Sequence, residues 1–325
     1  MFAPLAASVG SSALASIKSG LAAVPKLVSG AAVEIGWVAA HAVIYPLGLL
    51  REPSDVFDPR RLNVRDLPPV QRGLLYADVA AAGTPILFVH GIVDNRTIFA
   101  PMRRGLRRRG FGRLRTFSYG PASSDVRATA ARLGGVIEVL CEETGYERIH
   151  VIGHSLGGLI TRYYVQRMGG DAHVDTLITL GSPHSGTHAA RLLPIPLIKQ
   201  LRPGSDLMSE LALPAPGCST RFVAYWSDLD QLIVPQRNAR LDHPDLEVRN
   251  VLVRGIGHLS LPINGGIVRE ISNVLAHLES GDADDLDDVL ANTEADDLVG
   301  EDSAEISDPL SEVIPPPAAR PGLAT

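Results

Sequence analysis

Hydrophobic positions fall into short runs that alternate with helical spacing along the middle of the chain. Ile86-Leu87-Phe88-Val89 is wholly apolar, as expected of a strand buried on both faces of a parallel sheet. A basic stretch, 97–109, repeats with helical period, and 113–119 alternates as a strand does. A helix over 124–144 follows, with Ser124 expected as N-cap and Gly145 at its end. Ile149, Val151 and Ile152 form a second β-branched run. It stops at Gly153, and Leu156, Leu159, Ile160 and Tyr163 then recur at helical spacing. Further strands are expected over 174–180, 221–226 and 248–253, an entry strand over 73–79, and a closing helix over 263–278. Strand and helix signals in alternation predict a mostly parallel central sheet with helices on both faces.

The two ends read differently. Residues 1–67 form an apolar N-terminal extension and a linker rich in proline, with Pro53, Pro59 and the Pro68-Pro69 pair around its end. Within it, 31–50 approaches the roughly 20 residues of a membrane span, but Glu34, His41 and Pro46 interrupt it. A helix lying on the body or at a membrane interface fits better, and no clear signal peptide precedes it. The expected location is the cytoplasm or a membrane surface bound peripherally. Residues 280–325 read as an acidic tail with too little apolar content to fold alone. The chain has 325 residues and a net charge of −6; residues 281–325 hold thirteen acids and one base, Arg320, leaving 29 basic and 23 acidic residues elsewhere. The body is therefore mildly basic. Arg103, Arg104, Arg107, Arg108 and Arg109 concentrate that charge on one helix, either as a solvated face or as a contact for anionic lipid. Nothing in the pattern argues for a nucleic-acid partner. The two cysteines, Cys141 and Cys218, make no disulfide framework, and the histidines are too scattered for a metal site. No metal and no cofactor are expected.

The chemistry centres on Gly153-His154-Ser155-Leu156-Gly157, which fits G-x-S-x-G at a strand-to-helix corner. Such a corner strains its serine and leaves no room for side chains two positions away on either side. A serine hydroxyl needs a base, and the base an orienting carboxylate. Both candidates lie downstream, each just past a strand: Asp228 or Asp230 after 221–226, and His258, flanked by Gly255 and Gly257, after 248–253. Asp230 precedes an apolar run and a proline and is the preferred acid, whereas Asp228 suits a turn cap. An ester oxyanion would need two N–H donors, expected from Leu156, directly after the serine, and from Ile92 in the loop that follows Val89. His90 is expected to hold that loop rather than to react.

Together FVHGIVDNRTIF, GHSLGG, TLGSPHSGT, SDLDQLIVP and GIGHLSL resemble the α/β-hydrolase superfamily, in particular its bacterial triacylglycerol lipase and esterase group, over about residues 70–279. The resemblance implies an α/β-hydrolase fold with an eight-stranded, mostly parallel sheet, a catalytic domain over 68–279, and no cofactor. It implies hydrolysis of carboxylic esters of lipids through an acyl-enzyme, with Ser155, Asp230 and His258 as a triad and Ile92 and Leu156 as oxyanion donors. The loop reads His-Gly-Ile-Val and lacks the glycine-rich form of some lipases and esterases. An acyltransferase or thioesterase on the same fold stays open, and so does a non-catalytic scaffold recruited to membranes. A lid or cap is expected over 188–216, where Leu192, Leu193, Ile195, Leu197, Ile198 and Leu201 would line an acyl pocket and Pro194, Pro196 and Pro203 break helical continuity. The expected partners are a lipid or acyl-ester substrate and a membrane surface, met through residues 1–50 and 103–109.

Overall fold

The computed structural model describes residues 83–92, 94–120 and 125–276. Six strands, β1 (Ile86–Val89), β2 (Leu114–Phe117), β3 (Ile149–His154), β4 (Val174–Leu180), β5 (Arg221–Ser227) and β6 (Glu247–Val253), form one sheet in the order β2-β1-β3-β4-β5-β6. Every pairing is parallel. The family implies eight strands, and six lie among the described residues; the expected entry strand over 73–79 falls outside them.

Side-chain alternation sorts the strands onto two cores. Leu87, Val89 and Val151 face α2 (Val126–Thr144) and α3 (Leu156–Arg167), whereas Ile86, Phe88 and Ile152 face α1 (Ala100–Arg108) and α6 (Gly265–Leu275). Both faces are therefore dry, and each fully buried Leu, Ile or Phe contributes about 1.5–3 kcal/mol. This burial on both faces is why β1 is wholly apolar, whereas the edge strands β2 and β6 carry Arg115, Thr116, Glu247, Arg249 and Asn250.

Local chemistry sets the helix ends. Before α2, Asp125 is extended and its carboxylate accepts from Ala128 N at 3.0 Å, so the cap is Asp125 and not the expected Ser124, which lies outside the described residues. Gly145 closes α2 in the left-handed conformation, φ 73°, and donates to Cys141 O. The helix expected from Thr97 begins instead as a 3-10 turn, Arg96–Phe99, capped by Asn95, and becomes α1 at Ala100 with a proline in its first turn. The closing helix is shorter than its periodicity, because a separate 3-10 turn, Leu261–Ile263, precedes the cap Asn264.

The stretch over 188–216 holds two short helices, α4 (Pro196–Lys199) and α5 (Asp206–Leu211). Its apolar residues divide. Leu197, Leu201, Leu207, Met208 and Leu211 are buried against α2 and α3, while Leu192, Leu193 and Ile195 are 82%, 50% and 48% exposed. Leu197 and Leu201 therefore pack into the body instead of forming surface. Glu210 of α5 pins the insert, accepting from Arg127 Nε at 3.0 Å and from Tyr163 Oη at 2.6 Å. Arg162 adds a second tie: its buried guanidinium donates to His184 O and Leu211 O, both at 3.0 Å. Burial lowers the Arg162 pKa to about 9, so three acceptors, with the side chain of Gln166, hold a cation that the site's apolar setting opposes. The N-terminal extension, its linker and the acidic tail lie outside the described residues.

Candidate active site

The carboxyl ends of β1, β3, β4, β5 and β6 lie side by side, as the register pairs Val89 with Gly153, His154 with Leu180, Leu180 with Tyr225 and Ser227 with Val253. Parallel strands of this order present their following loops on one rim, where sites in open α/β sheets assemble. Ser155 follows β3, Gly181 follows β4, Asp228 and Asp230 follow β5, and His258 lies in the loop after β6.

Ser155 has φ 52° and ψ −121°, and among the described residues it is the one non-glycine with positive φ. That conformation costs a non-glycine residue about 1–3 kcal/mol and persists where neighbouring structure enforces it. Enforcement comes from both sides: Ser155 N donates to Leu180 O at 2.9 Å, and α3 begins at the next residue. The flanking glycines are steric necessities. A Cβ on Gly157 would sit 2.1 Å from Val89 O, and one on Gly153 would sit 2.5 Å from Gly158 Cα. Gly158 has no room either, with Ser182 Oγ 2.0 Å from its would-be Cβ. Ser155 is half-buried between buried neighbours, at the amino end of α3, whose first N–H groups lack helical acceptors.

His258 and Asp230 meet. His258 Nδ1 lies 2.6 Å from Asp230 Oδ2, with both side chains almost fully buried. A carboxylate accepts, so Nδ1 carries the proton and Nε2 keeps its lone pair. Oδ1 of Asp230 accepts from Leu232 N and Ile233 N, both at 2.9 Å, which fixes the carboxylate before the histidine is considered. Asp228 is exposed, and its Oδ1 accepts from Gly255 N at 2.8 Å, the turn-capping position. Gly181, φ 59°, closes over the pair. A Cβ there would lie 3.1 Å from both Asp230 Oδ2 and His258 Nδ1, so a larger residue would press on their hydrogen bond.

The loop after β1 runs against the serine, since a Cβ on Gly91 would lie 3.0 Å from Ser155 Cβ. Ile92, partly buried against the core, is the next residue. His90 holds this loop. Tyr119 N donates to its Nε2 at 3.4 Å, which leaves Nδ1–H to donate to Gly91 O at 2.9 Å. Tyr119 Oη returns a bond to His90 O, and the two rings stack at 4.4 Å. Burial pushes the His90 pKa down, consistent with this neutral tautomer.

Two buried histidines in the loops around the site carried little signal in the sequence. His154, the variable residue of the serine motif, is 1% exposed; its Nε2 lies 3.2 Å from His258 O and its Nδ1 3.6 Å from Asp94 Oδ2. Burial lowers its pKa, against the upward pull of Asp94. His184, in the loop after β4, bonds Thr179 Oγ1 through Nε2 at 2.9 Å, and burial followed by the Arg162 charge holds it well below the usual imidazole range. A polar residue at the end of an apolar strand was the available hint for His154, and an isolated histidine carries little weight in a one-dimensional pattern.

The family model for palmitoyl protein thioesterase matches residues 85–234, a little under half of the chain, ending between Asp230 and His258. Among solved structures, a Bacillus licheniformis lipase in its mature form is 18% identical, with a TM-score of 0.51 over 60% of this chain and 92% of that one. Its propeptide form is 17% identical, also with a TM-score of 0.51, over 62% of this chain and 52% of that one. A Paleococcus ferrophilus monoacylglycerol lipase is 16% identical, with a TM-score of 0.43 over 61% and 97%. The sheet order, the strained serine corner and the two Bacillus likenesses agree. The chain has the α/β-hydrolase fold.

Proposed function

We propose that the protein is a serine hydrolase that cleaves carboxylic esters of lipids, with Ser155 as nucleophile, His258 as general base and Asp230 as its orienting acid. The observation that carries this reading is the buried His258–Asp230 pair on the same rim as a serine held at positive φ. Ser155 Oγ attacks the ester carbonyl while His258 Nε2 takes its proton, and the Asp230 carboxylate stabilises the imidazolium. The carbonyl oxygen becomes an oxyanion received by the N–H groups of Ile92 and Leu156. Collapse expels the alcohol, which takes the proton from His258 and leaves an acyl-Ser155. Water then enters by the mirror sequence, with His258 again the base, and releases the acid. One group serves as base and then acid in each half-reaction, so no cofactor is needed in the scheme.

Exposed apolar and basic residues support a lipid substrate met at an interface. Leu192, Leu193 and Ile195 lie in the cap, Leu232 and Val234 follow Asp230, and Thr187 joins the two segments by bonding Leu232 O and Val234 N. Arg191, Lys199 and Arg237 are exposed nearby, while α1, packed on the other face of the sheet, exposes Arg104, Arg107 and Arg108. Large exposed apolar residues beside cations suit an anionic lipid surface. The reading therefore includes peripheral membrane contact and a cytoplasmic or membrane-surface location. Among the described residues no helix is long and apolar enough to cross a membrane.

A second reading, thioester hydrolysis, has its own support in the likeness to the palmitoyl protein thioesterase family. The same serine chemistry serves both, because only the leaving atom changes. Rates on matched oxygen and thio esters, in a series of acyl lengths with and without an emulsified interface, test the reading. Higher kcat/KM for long oxygen esters at the interface is expected. A consistent preference for thioesters would transfer the assignment to the second reading.

A further inference from the structure

We infer that His154 is a brace that ties the base loop to Ser155 and packs against the oxyanion loop, which makes it a positioning residue for the reaction proposed above. His154 ends β3, so its backbone is continuous with Ser155. Its side chain leaves that corner in two directions. Nε2 lies 3.2 Å from the main-chain oxygen of His258, and because a carbonyl only accepts, Nε2–H must donate. Nδ1 then carries a lone pair, so its approach to Asp94 Oδ2 at 3.6 Å is a packing contact and not a hydrogen bond, and Gly91 lies against the same nitrogen, where a Cβ would come within 3.3 Å. Asp94 belongs to the loop that carries Ile92, is 8% exposed, and accepts from Asn95 N through Oδ1 at 2.9 Å. One imidazole thus touches the three loops whose relative placement the chemistry requires.

The arrangement fills a mechanical need. Asp230 fixes the His258 ring through Nδ1, but a bond to a ring nitrogen leaves the ring free to travel with its loop. The His154 bond fixes the main chain of His258 itself, and the two rings meet at 4.8 Å, tilted by 43°. Packing alone does not call for this residue. An imidazole buried to 1% loses its hydration, a cost that a phenyl ring of similar shape would avoid. What the imidazole adds is its directed donor to His258 O.

The test compares His154→Phe, His154→Gln and His154→Leu with the unaltered protein. The readouts are kcat and KM on a soluble short-chain ester, the rate of labelling by a fluorophosphonate, and Tm. A displacement of the base on the scale of 1 Å costs on the order of 100-fold in rate, so His154→Phe should lower kcat and the labelling rate roughly 10- to 100-fold together. KM should stay within about twofold, because uniform substrate binding is untouched. In His154→Gln the amide nitrogen takes the place of Nε2 and can donate to His258 O, so most of the loss should return. If Phe and Gln variants are equally slow, or both as fast as the parent, the brace is wrong. If His154→Phe does not fold, His154→Leu decides. It removes the donor without adding a ring, and a Tm within a few degrees with lowered kcat supports the brace, whereas unchanged kcat overturns it. Labelling rates rank the variants whichever ester the protein prefers, so a parent that labels but leaves esters uncleaved counts against ester hydrolysis and not against the brace.

Discussion

Asp230→Asn is the substitution whose outcome follows most directly from the hydrogen bonds. Oδ1 of Asp230 accepts from two backbone N–H groups, Leu232 and Ile233, each at 2.9 Å. An asparagine amide must therefore keep its oxygen there, since its NH2 in that place would face two donors. The NH2 is forced into the position of Oδ2, 2.6 Å from His258 Nδ1. Nδ1 must then accept, the imidazole proton moves to Nε2, and the nitrogen that should take the Ser155 proton has no lone pair. The same tautomer error in another serine hydrolase lowers kcat about 10⁴-fold, equivalent to roughly 5 kcal/mol of lost transition-state stabilisation. Stability should change far less. Each hydrogen bond keeps a partner and only its charge-assisted part is lost, about 1–2 kcal/mol, or a few degrees in Tm. Asp228→Asn is the matched control, because its Oδ1 can go on accepting from Gly255 N. Its kcat should stay within about threefold of the parent, as expected for an exposed substitution. Steady-state kinetics on a short ester, with thermal unfolding of each variant, decide the matter. More than a tenth of the parent kcat in Asp230→Asn, or an equal loss in Asp228→Asn, would refute the assignment of the acid.

Further outcomes follow from packing and charge. Gly135 is an exposed position of α2 where an added Cβ meets nothing within 4 Å, so Gly135→Ala should stabilise by about 0.5–1 kcal/mol in chemical denaturation. Gly134→Ala, one residue away, should destabilise instead, because its Cβ would enter the Tyr164 ring at 2.5 Å. Equal effects would contradict the packing of α2 on α3. Leu192→Asp with Leu193→Asp should leave short soluble esters unaffected and impair long-chain esters and sedimentation with anionic vesicles, since both residues are exposed; loss on both substrate classes would make them core. The Arg127 and Tyr163 bonds hold the Glu210 carboxyl below its usual 4.5. A lowered acid pKa contributes stability that is present above the unfolded value and lost as pH falls through the folded one. The parent should thus lose more stability than Glu210→Gln between neutral pH and the range below 4.5, and parallel profiles would show that the contact is negligible.

What the sequence revealed and what it hid have physical reasons. The serine corner was legible because its constraint is local: Gly153, Gly157 and Gly158 each stand where a Cβ would strike a neighbour, and the motif records that. That Ser155, Asp230 and His258 would share one rim was legible because a parallel sheet puts every such loop on the same side. Asp228 and Asp230 could only be ranked, as both lie in the same loop, and what separates them is burial and two backbone N–H groups. His154 and Arg162 were missed because their meaning is three-dimensional: each bonds main-chain oxygens from distant segments, which no spacing encodes. The leucines of the insert read as one apolar surface, yet Leu197, Ile198 and Leu201 turn toward the body and Leu192, Leu193 and Ile195 toward solvent. Ser124 and Asp125 are neighbours with equally good capping chemistry, and the chain direction at 125 chose the aspartate.

The central claim is that Ser155, activated by His258, is the nucleophile, and covalent labelling tests it most directly. Incubation with a fluorophosphonate followed by peptide mass spectrometry should place a single adduct on Ser155. His258→Ala should slow its formation by on the order of 1,000-fold or more, and the double variant Ser155→Ala, His258→Ala should be no less active than Ser155→Ala alone, because the residues act as a unit. An unlabelled Ser155, an adduct on another residue, or the same labelling rate in His258→Ala would contradict the account.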